Sequence, residues 1–262
     1  MKTFSKVMAL VICAAVMVSA GVLTSCGNNY GKPETRTFPL TEYDKLEVHH
    51  AFIVMMSTTI TEAKVTIPEQ LYDKLVFEIK NGRLTVGFDP LFIGTVKSAQ
   101  LELPMNPVLE ELELNGASDM TIDGPIVLGK VDMSGASKLV AVDEDNEGLK
   151  DVKLSGASKA KLTGVSGALR VELTGASKAE LAGASGEMHI ELSGASYLDA
   201  WHVSADNAHV DLSGASDADL TICSELRGEL SGASTITYDL VSQSCNPLID
   251  CDMTGGSTIS KR

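Results

Sequence analysis

Charged residues recur at fixed spacing in the second half of the chain, where an acid usually stands three positions before a repeated glycine. In three successive copies the acidic residues and the basic or histidine residues two positions before them are Arg170, Glu172, His189, Glu191, His209 and Asp211. Stacked along a sheet, these side chains could bind a cation or an acidic sugar. The alternative is charge balance, because like charges at strand spacing repel and a neighbouring basic column relieves the repulsion. We favour charge balance, since ligand sites are usually concave and partly apolar.

The chain has a single tryptophan, Trp201, which interrupts the sixth copy of the repeat. Its ring could stack on a sugar, although a lone tryptophan more often fills a local packing gap. A glycosidase needs two carboxylates at a set separation, whereas seven of the eight copies supply an acid at the same position. An active site is expected to break a repeat, so this regularity argues against catalysis. We therefore expect no catalytic residue, no cofactor and no metal site.

The first residues resemble an export signal. Two lysines precede an uncharged, mostly apolar stretch at 7–22, as in a secretory signal peptide. The stretch ends at Leu23-Thr24-Ser25-Cys26, which looks like a bacterial lipobox with lipid attachment at Cys26. A plain signal peptide with an accidental cysteine is the alternative. Two or more acyl chains would hold the protein stably at a membrane, and Gly27 in place of aspartate favours the outer membrane. Whether the protein faces the periplasm or the cell surface stays open.

Three cysteines remain after Cys13 and Cys26, so the chain can form at most one internal disulfide from them. Cys223 and Cys245 are 22 residues apart, about one copy of the repeat, and they could stack into a disulfide or stay free. Cys251 falls at an inward position, where we expect it to be buried as a small apolar residue.

Composition narrows the classes of partner. The 262 residues include 35 acidic and 21 basic side chains, for a formal charge of −14. This balance argues against nucleic-acid binding and against attachment to anionic lipid by basic patches. Aromatic residues make up only 5% of the chain and glycine contributes 23 residues, so the core must consist of small aliphatic side chains.

A repeat of about 20 residues must position all of these side chains. Each copy reads apolar, charged, Leu or Met, a small polar residue, Gly, Ala and Ser, and a fixed period of this length is typical of a solenoid. The repeated glycines are Gly116, Gly135, Gly156, Gly175, Gly194, Gly214, Gly232 and Gly255. The alternation before each glycine predicts a half-buried strand, and a second strand with inward residues such as Leu162, Leu181 and Leu220 follows. The sequence predicts an all-β fold, a parallel, right-handed β-helix of about eight coils, with serine hydroxyls bonding to carbonyls at the corners.

Residues 38–110 lack the repeated phrase but contain further strand patterns. The predicted strands are Lys45–Met56, Lys64–Ile67, Leu75–Ile79, Leu84–Phe88 and Val96–Leu103. Asn81-Gly82 predicts a hairpin turn. A solenoid end must be covered, so we interpret this region as an N-terminal β cap. The predicted organisation is a lipoprotein signal peptide at 1–25, a tether at 26–37, the cap at 38–110 and the β-helix at 111–262, with 38–262 forming one continuous domain.

The lipobox, the strand-rich start and the phrase Leu-Ser-Gly-Ala-Ser, found at 154–158, 192–196, 212–216 and 230–234, resemble a known family. This is the putative auto-transporter adhesin, head GIN domain family, and the resemblance covers about residues 37–257. It implies a β-helix on a bacterial envelope lipoprotein with an adhesive role by analogy, and it carries over no catalytic or binding residue.

Together these patterns predict a lipid-anchored cell-envelope β-helix protein with an adhesin-like or binding role and no catalysis. Its partners would be the membrane, reached through the N-terminal lipid, and a glycan or protein ligand, but not nucleic acid. The alternative is a carbohydrate-active enzyme, a polysaccharide lyase or hydrolase, on the same scaffold. A third possibility is a purely structural or sensor-linked envelope protein without a soluble ligand.

Overall fold

The computed structural model describes residues 30–89, 91–92, 96 and 99–262. The predicted signal peptide, Cys26 and the start of the tether lie outside the described residues. All described strands belong to one hydrogen-bonded sheet, and the cap also contains a short 3₁₀ helix, Glu69–Lys74. Among the described residues, no helix is long and apolar enough to cross a membrane.

The strands fall into a cap region and a repeat region. Those of the cap region are β1 (Pro33–Phe38), β2 (Lys45–Val48), β3 (Phe52–Ser57), β4 (Ala63–Pro68), β5 (Leu75–Lys80), β6 (Arg83–Phe88) and β7 (Ala99–Pro104). Those of the repeat region are β8 (Val108–Leu114), β9 (Asp119–Asp123), β10 (Val127–Met133), β11 (Lys138–Ala141), β12 (Leu149–Leu154), β13 (Lys159–Leu173), β14 (Lys178–Leu192), β15 (Tyr197–Leu212), β16 (Asp217–Leu230), β17 (Thr235–Leu240), β18 (Leu248–Met253) and β19 (Thr258–Lys261).

The repeat region is a stack of parallel coils, as predicted. In β10, Val131 pairs with Leu112 on one side and with Val152 on the other, so the register advances by one copy of the repeat per coil. Each of the long strands β13 to β16 runs without a break from just after one Gly-Ala-Ser corner to just before the next. The structure thus confirms an all-β solenoid of about eight stacked parallel coils.

The core consists of aliphatic columns that run along the stack. The residues four and two positions before the glycine are buried in the six coils with corners from Gly116 to Gly214, as are the predicted inward residues Leu162, Leu181 and Leu220. The last two coils depart from the pattern, because Gly228 and the half-buried Cys251 occupy the position four before the glycine. Burial of small side chains in register explains how the chain forms a core with so few aromatic residues.

Stacking explains the Gly-Ala-Ser corner. Gly194 has a φ of 80°, and a Cβ added there would lie 2.5 Å from the carbonyl oxygen of Gly175 in the preceding coil. The serine column is buried except at Ser257, and its hydroxyls donate to corner carbonyls as predicted. Ser177 Oγ, for example, donates to the carbonyl oxygens of Thr174 (2.8 Å) and Leu154 (3.2 Å).

The cap contains an additional coil that the sequence analysis missed. Strands β2 and β3 pair in parallel with β8 and β9 on one side and with β6 and β7 on the other. In chain order this coil comes first, and the cap strands β4 to β7 follow on its side away from the stack. The chain then returns to the other side of the coil at β8. The predicted Asn81-Gly82 turn is confirmed, with φ values of 51° and 76° between the antiparallel strands β5 and β6.

The predicted strand Lys45–Met56 is wrong in one respect, because the structure breaks it at a corner between β2 and β3. His50 has a φ of 74° and takes the place of the corner glycine. Leu46 and Val48 pair with Leu112 and Leu114, so they are the two inward residues of this coil. Residues 46–51 are thus a ninth copy of the corner phrase, hidden by histidine at the glycine position.

Candidate functional site

The strands before the corners carry the charged residues that the sequence analysis singled out. We call the outward residues five and three positions before each corner the charged face. Arg170, His189 and His209 pair in register in one column, and Glu172, Glu191 and Asp211 do so in the next. Adjacent members of a column are therefore one strand spacing apart, about 4.8 Å.

Ion pairs run both between these columns and along them. Arg170 Nη2 lies 2.6 Å from Glu191 Oε1 in the next coil, and Lys153 Nζ lies 2.8 Å from Glu172 Oε2. His189 Nε2 lies 3.3 Å from Glu187 Oε1, and its ring meets that of His209 edge-on at 5.9 Å. The glutamates at the centre of the face already have cationic partners, which favours charge balance over a dedicated ligand site.

A shallow depression of about 260 Å³ lies beside these acids. It is lined by Glu172, Glu191 and Asp211 together with Thr174, Leu192, Ser193 and Ser213. Within the described part of the chain, no group of three His, Cys, Asp or Glu side chains is arranged to hold a metal ion. The depression offers oxygen atoms on a regular surface but no converging set of ligands.

The cap end of the same surface has a tighter charge cluster, centred on Arg83. Its guanidinium lies 2.6 Å from Glu111 Oε2, 2.5 Å from Glu113 Oε1 and 3.8 Å from Glu47 Oε2. Burial acts to raise the pKa of the Glu111 carboxyl, but a hydrogen bond from Lys130 and the charges of Arg83, Lys130 and Lys45 outweigh it and lower the pKa. Arg83 lies outside the repeat, so its spacing in the sequence does not connect it with this face. The pairing of β6 with β2 brings it there.

Trp201 belongs to a different side of the molecule from the charged face. It lies in a bulge of β15, where Ala200 pairs with Leu220 but Ser204 already pairs with Thr221. The Arg262 guanidinium lies 5.3 Å from the centre of the half-buried indole ring. The structure therefore brings Trp201 to Arg262 and not to His189 or His209.

The three described cysteines differ in state. Cys223 and Cys245 form a disulfide with their Cα atoms 4.7 Å apart. Cys251 is a half-buried free thiol, and its Sγ lies 3.7 Å from the carbonyl oxygen of Leu226. Burial, together with the charges of Asp250 and Asp252, raises the pKa of this thiol to about 11. Cys251 therefore stays protonated at neutral pH and is a poor nucleophile.

Several solved structures share this fold. A putative lipid binding protein from Parabacteroides distasonis aligns with a TM-score of 0.75 and 19% identity, covering 90% of this chain and 98% of that one. A putative adhesin from the same species aligns with a TM-score of 0.71 and 14% identity, covering 88% and 98%. A putative adhesin from Parabacteroides merdae aligns with a TM-score of 0.70 and 16% identity, covering 90% and 98%. At these identities the likeness establishes the fold alone.

No curated protein matches the chain. The family model described as putative auto-transporter adhesin, head GIN domain, matches residues 42–239, which is most of the chain and includes both the hidden corner at His50 and seven of the eight glycine corners. The chain therefore belongs to the family of the putative auto-transporter adhesin, head GIN domain.

Proposed function

We propose that this protein is a lipid-anchored β-helix of the bacterial cell envelope with an adhesin-like binding role and without catalysis. Membership of the adhesin family is the observation that carries the proposal. The regular charged face supports it, since Arg170 pairs with Glu191 and Lys153 with Glu172 along the stack. Catalytic groups would instead converge on one reacting atom.

Attachment is proposed to occur through lipid on Cys26, because residues 23–26 match the lipobox pattern. An outer-membrane location is proposed from Gly27 at the following position. The tether predicted at 26–37 is too long, because β1 (Pro33–Phe38) pairs with β4 and belongs to the cap. The residues between Cys26 and Pro33 would then separate the lipid from the cap.

The anchoring is tested by expressing the full chain and its Cys26→Ser variant in bacteria fed with labelled palmitate. The full chain is expected to take up the label and to sediment with outer membranes. The variant is expected to take up no label and not to sediment with outer membranes. Equal labelling of both proteins would refute the anchor. Protease treatment of intact cells then shows which way the anchored protein faces.

The binding role is tested by adhesion of intact cells that express the full chain to surfaces coated with glycans or host proteins. Expressing cells are expected to adhere more than cells with the Cys26→Ser variant. Equal adhesion on every surface would contradict the role.

Catalysis is the competing function, and it predicts new reducing or unsaturated sugar ends when polysaccharides are incubated with the purified full chain. We expect none. Release of sugar ends that is lost in the His189→Ala or Glu191→Ala variant would show that the protein is an enzyme.

A further inference from the structure

Two of the irregularities that interrupt the repeat on the strands after the corners lie on the same side of the stack. One is the loop at 142–148 after β11, and the other is the bulge at 201–203 in β15. Ala141 pairs with Leu162, Thr163 with Ala182, and Ala182 with His202, so one outward column begins at Val142 and ends at His202. Both ends of this column line a single depression of about 210 Å³, which places the two irregularities at opposite ends of one surface.

The protein surface is depressed at the middle of this column because the side chains there are small. Thr163 and Ala182 lie between Val142 and His202, and both also line an adjoining depression of about 380 Å³. One rim consists of Lys161, Glu180 and Asp199, which are in register on successive coils, and the other of Asp143, Glu144 and Asn146 from the loop. We call this concavity the groove.

The loop that forms one wall is fixed by hydrogen bonds. Asn146 is only 8% exposed, and its Nδ2 donates to the Ala141 carbonyl oxygen at 3.1 Å and to Thr163 Oγ1 at 3.0 Å. Its Oδ1 accepts from the Ile126 backbone N–H at 3.0 Å. Thr163 Oγ1 in turn donates to the Asp143 carbonyl oxygen at 2.7 Å. The groove is therefore formed before any ligand arrives, as most small-molecule sites are.

The position of the groove restricts how it can recognise a ligand. At the floor of the groove β14 is paired with β13 on one side and with β15 on the other. The pairing of β13 with β11 ends at Leu162, and the loop lies against β13 just beyond it. Because β14 is paired on both sides and the loop covers the other side of β13, a peptide cannot add there as an extra strand. Recognition must come from the side chains of the floor and rims.

Those side chains combine a narrow apolar floor with hydrogen-bonding groups at its edges. The methyl groups of Ala182 and Thr163 and the side chain of Val142, which is 37% exposed, offer a surface for C–H groups. Glu180 and Asp199 are acceptors. Lys161 is a donor, although Glu180 already holds it at 3.1 Å. A pyranose ring has the matching distribution, with C–H groups on its face and hydroxyl groups around its edge.

Charge narrows the sugar class. The rims carry four carboxylates, on Asp143, Glu144, Glu180 and Asp199, against one ammonium on Lys161. Lys178, outside the groove, also pairs with Glu180 at 3.0 Å. Negative charge is still in excess, so an acidic sugar would be repelled. The column from Val142 to His202 spans three strand spacings, about 14 Å, which is the length of a short oligosaccharide. We propose that the groove binds a neutral oligosaccharide. The proposal rests on the binding role proposed above and gives that role a location.

The test measures binding by isothermal titration calorimetry with the full chain purified in detergent. The probes are maltotriose, cellotriose, xylotriose and triacetylchitotriose, with tetralysine as the alternative ligand for an acidic groove. The variants are Ala182→Gln, which fills the floor, and Asp199→Asn, which weakens an acceptor. The matched control is Asp211→Asn, an acid on the same strand β15 but on the charged face.

At least one trisaccharide is expected to bind saturably. Asp199→Asn is expected to bind it roughly tenfold more weakly, since a lost hydrogen bond to a charged group has about this effect. Ala182→Gln is expected to weaken binding because its side chain occupies the floor, and Asp211→Asn is expected to leave binding unchanged. Circular dichroism checks that the variants are folded; if Ala182→Gln is not, Asp199→Asn decides. Binding of tetralysine alone, or of no probe, overturns the proposal. Sugar binding lost in Asp211→Asn but kept in Asp199→Asn also overturns it while leaving the binding role intact, whereas failure of expressing cells to adhere to any surface refutes the role itself.

Discussion

The corner at His50 and the corners within the stack share a backbone conformation, but the first accommodates a side chain and the others exclude one. His50 has a φ of 74°, and the corner glycines have φ values from 71° to 84°. Within the stack, a Cβ at Gly194 would meet the Gly175 carbonyl oxygen, because each corner lies directly over the one before it. At His50 the neighbouring strand is β6, which passes the corner with Gly87 and leaves room for a ring. Glycine is therefore required by the stacking of corners, and the first corner is free to carry a side chain.

The side chain of His50 attaches the cap to the stack. His50 Nδ1 accepts a hydrogen bond from the Phe88 backbone N–H at 3.3 Å, and the two rings meet edge-on at 5.6 Å. Phe88 also contacts Phe52 and Phe92. All five described phenylalanines lie in the cap region. Aromatic packing thus holds the irregular end, whereas aligned aliphatic columns hold the coils.

Replacing a corner glycine inside the stack should have the largest effect. In Gly194→Ala the new Cβ would collide with a backbone carbonyl and the residue would keep an unfavourable φ, so we expect a loss of about 4 kcal/mol in the free energy of unfolding. The matched variant His50→Ala has the same type of corner but no carbonyl beneath it, and we expect a loss of about 1 kcal/mol. Urea denaturation of both variants measures the difference. Equal losses would show that the turn conformation, and not the stacking, selects glycine.

The disulfide gives the second contrast, because it links coils at the end of the stack far from the cap. Replacing both Cys223 and Cys245 by serine opens a loop of 22 residues, and a loop of that size corresponds to about 3 kcal/mol of stability. We expect faster amide hydrogen exchange in β16 to β19 and unchanged exchange in β2 and β3. The control is Cys251→Ser, which removes a thiol outside the disulfide. Uniformly faster exchange along the chain would instead indicate that the coils and the cap unfold as one unit.

The solenoid could be predicted from sequence because its information is repeated. Each inward position in the stack occurs in many copies, so exceptions such as Gly228 do not hide the column. The coil formed by β2 and β3 has histidine, His50, at the position where every other corner has glycine. A search for the repeated glycine therefore does not find it. The groove escaped detection for a related reason. It arises where the loop after Ala141 and the bulge at Trp201 break the period, and only strand pairing shows that the two breaks face the same surface.

Ion pairs provide a third comparison between the cap and the stack. Arg83 is 28% exposed and contacts three glutamates, whereas Arg170 is 49% exposed and contacts Glu191. We expect Arg83→Ala to lose about 1.5 kcal/mol of stability and Arg170→Ala to lose at most about 0.5 kcal/mol, as exposed pairs usually do. Denaturation at low and high salt measures both losses, and salt should reduce the smaller one further. A larger loss for Arg170→Ala would mean that the charged face, and not the cap, depends on its ion pairs.

The smallest effect concerns the protonation of His50. Burial and the neighbouring His49 lower the pKa of the His50 imidazole below its usual value of 6.5. The folded cap therefore favours the neutral ring, whose Nδ1 can accept the Phe88 N–H. Because the pKa is lower in the folded state than in the unfolded state, the stabilisation is fully present above about pH 6.5. It is lost progressively as the pH falls through the folded-state pKa.

His50→Asn tests this with little change in geometry, since asparagine tolerates a positive φ and its side-chain oxygen can accept a hydrogen bond without titrating. We expect the wild-type protein to lose stability relative to this variant as the pH falls below about 6.5, measured by thermal unfolding across that range. His49 and Glu47 are present in both proteins, so their contributions are common to both profiles and largely cancel in the difference. Parallel profiles would mean that His50 occupies the first corner by shape alone. Divergence confined to acidic pH would show that its neutral ring fastens the cap to the coils.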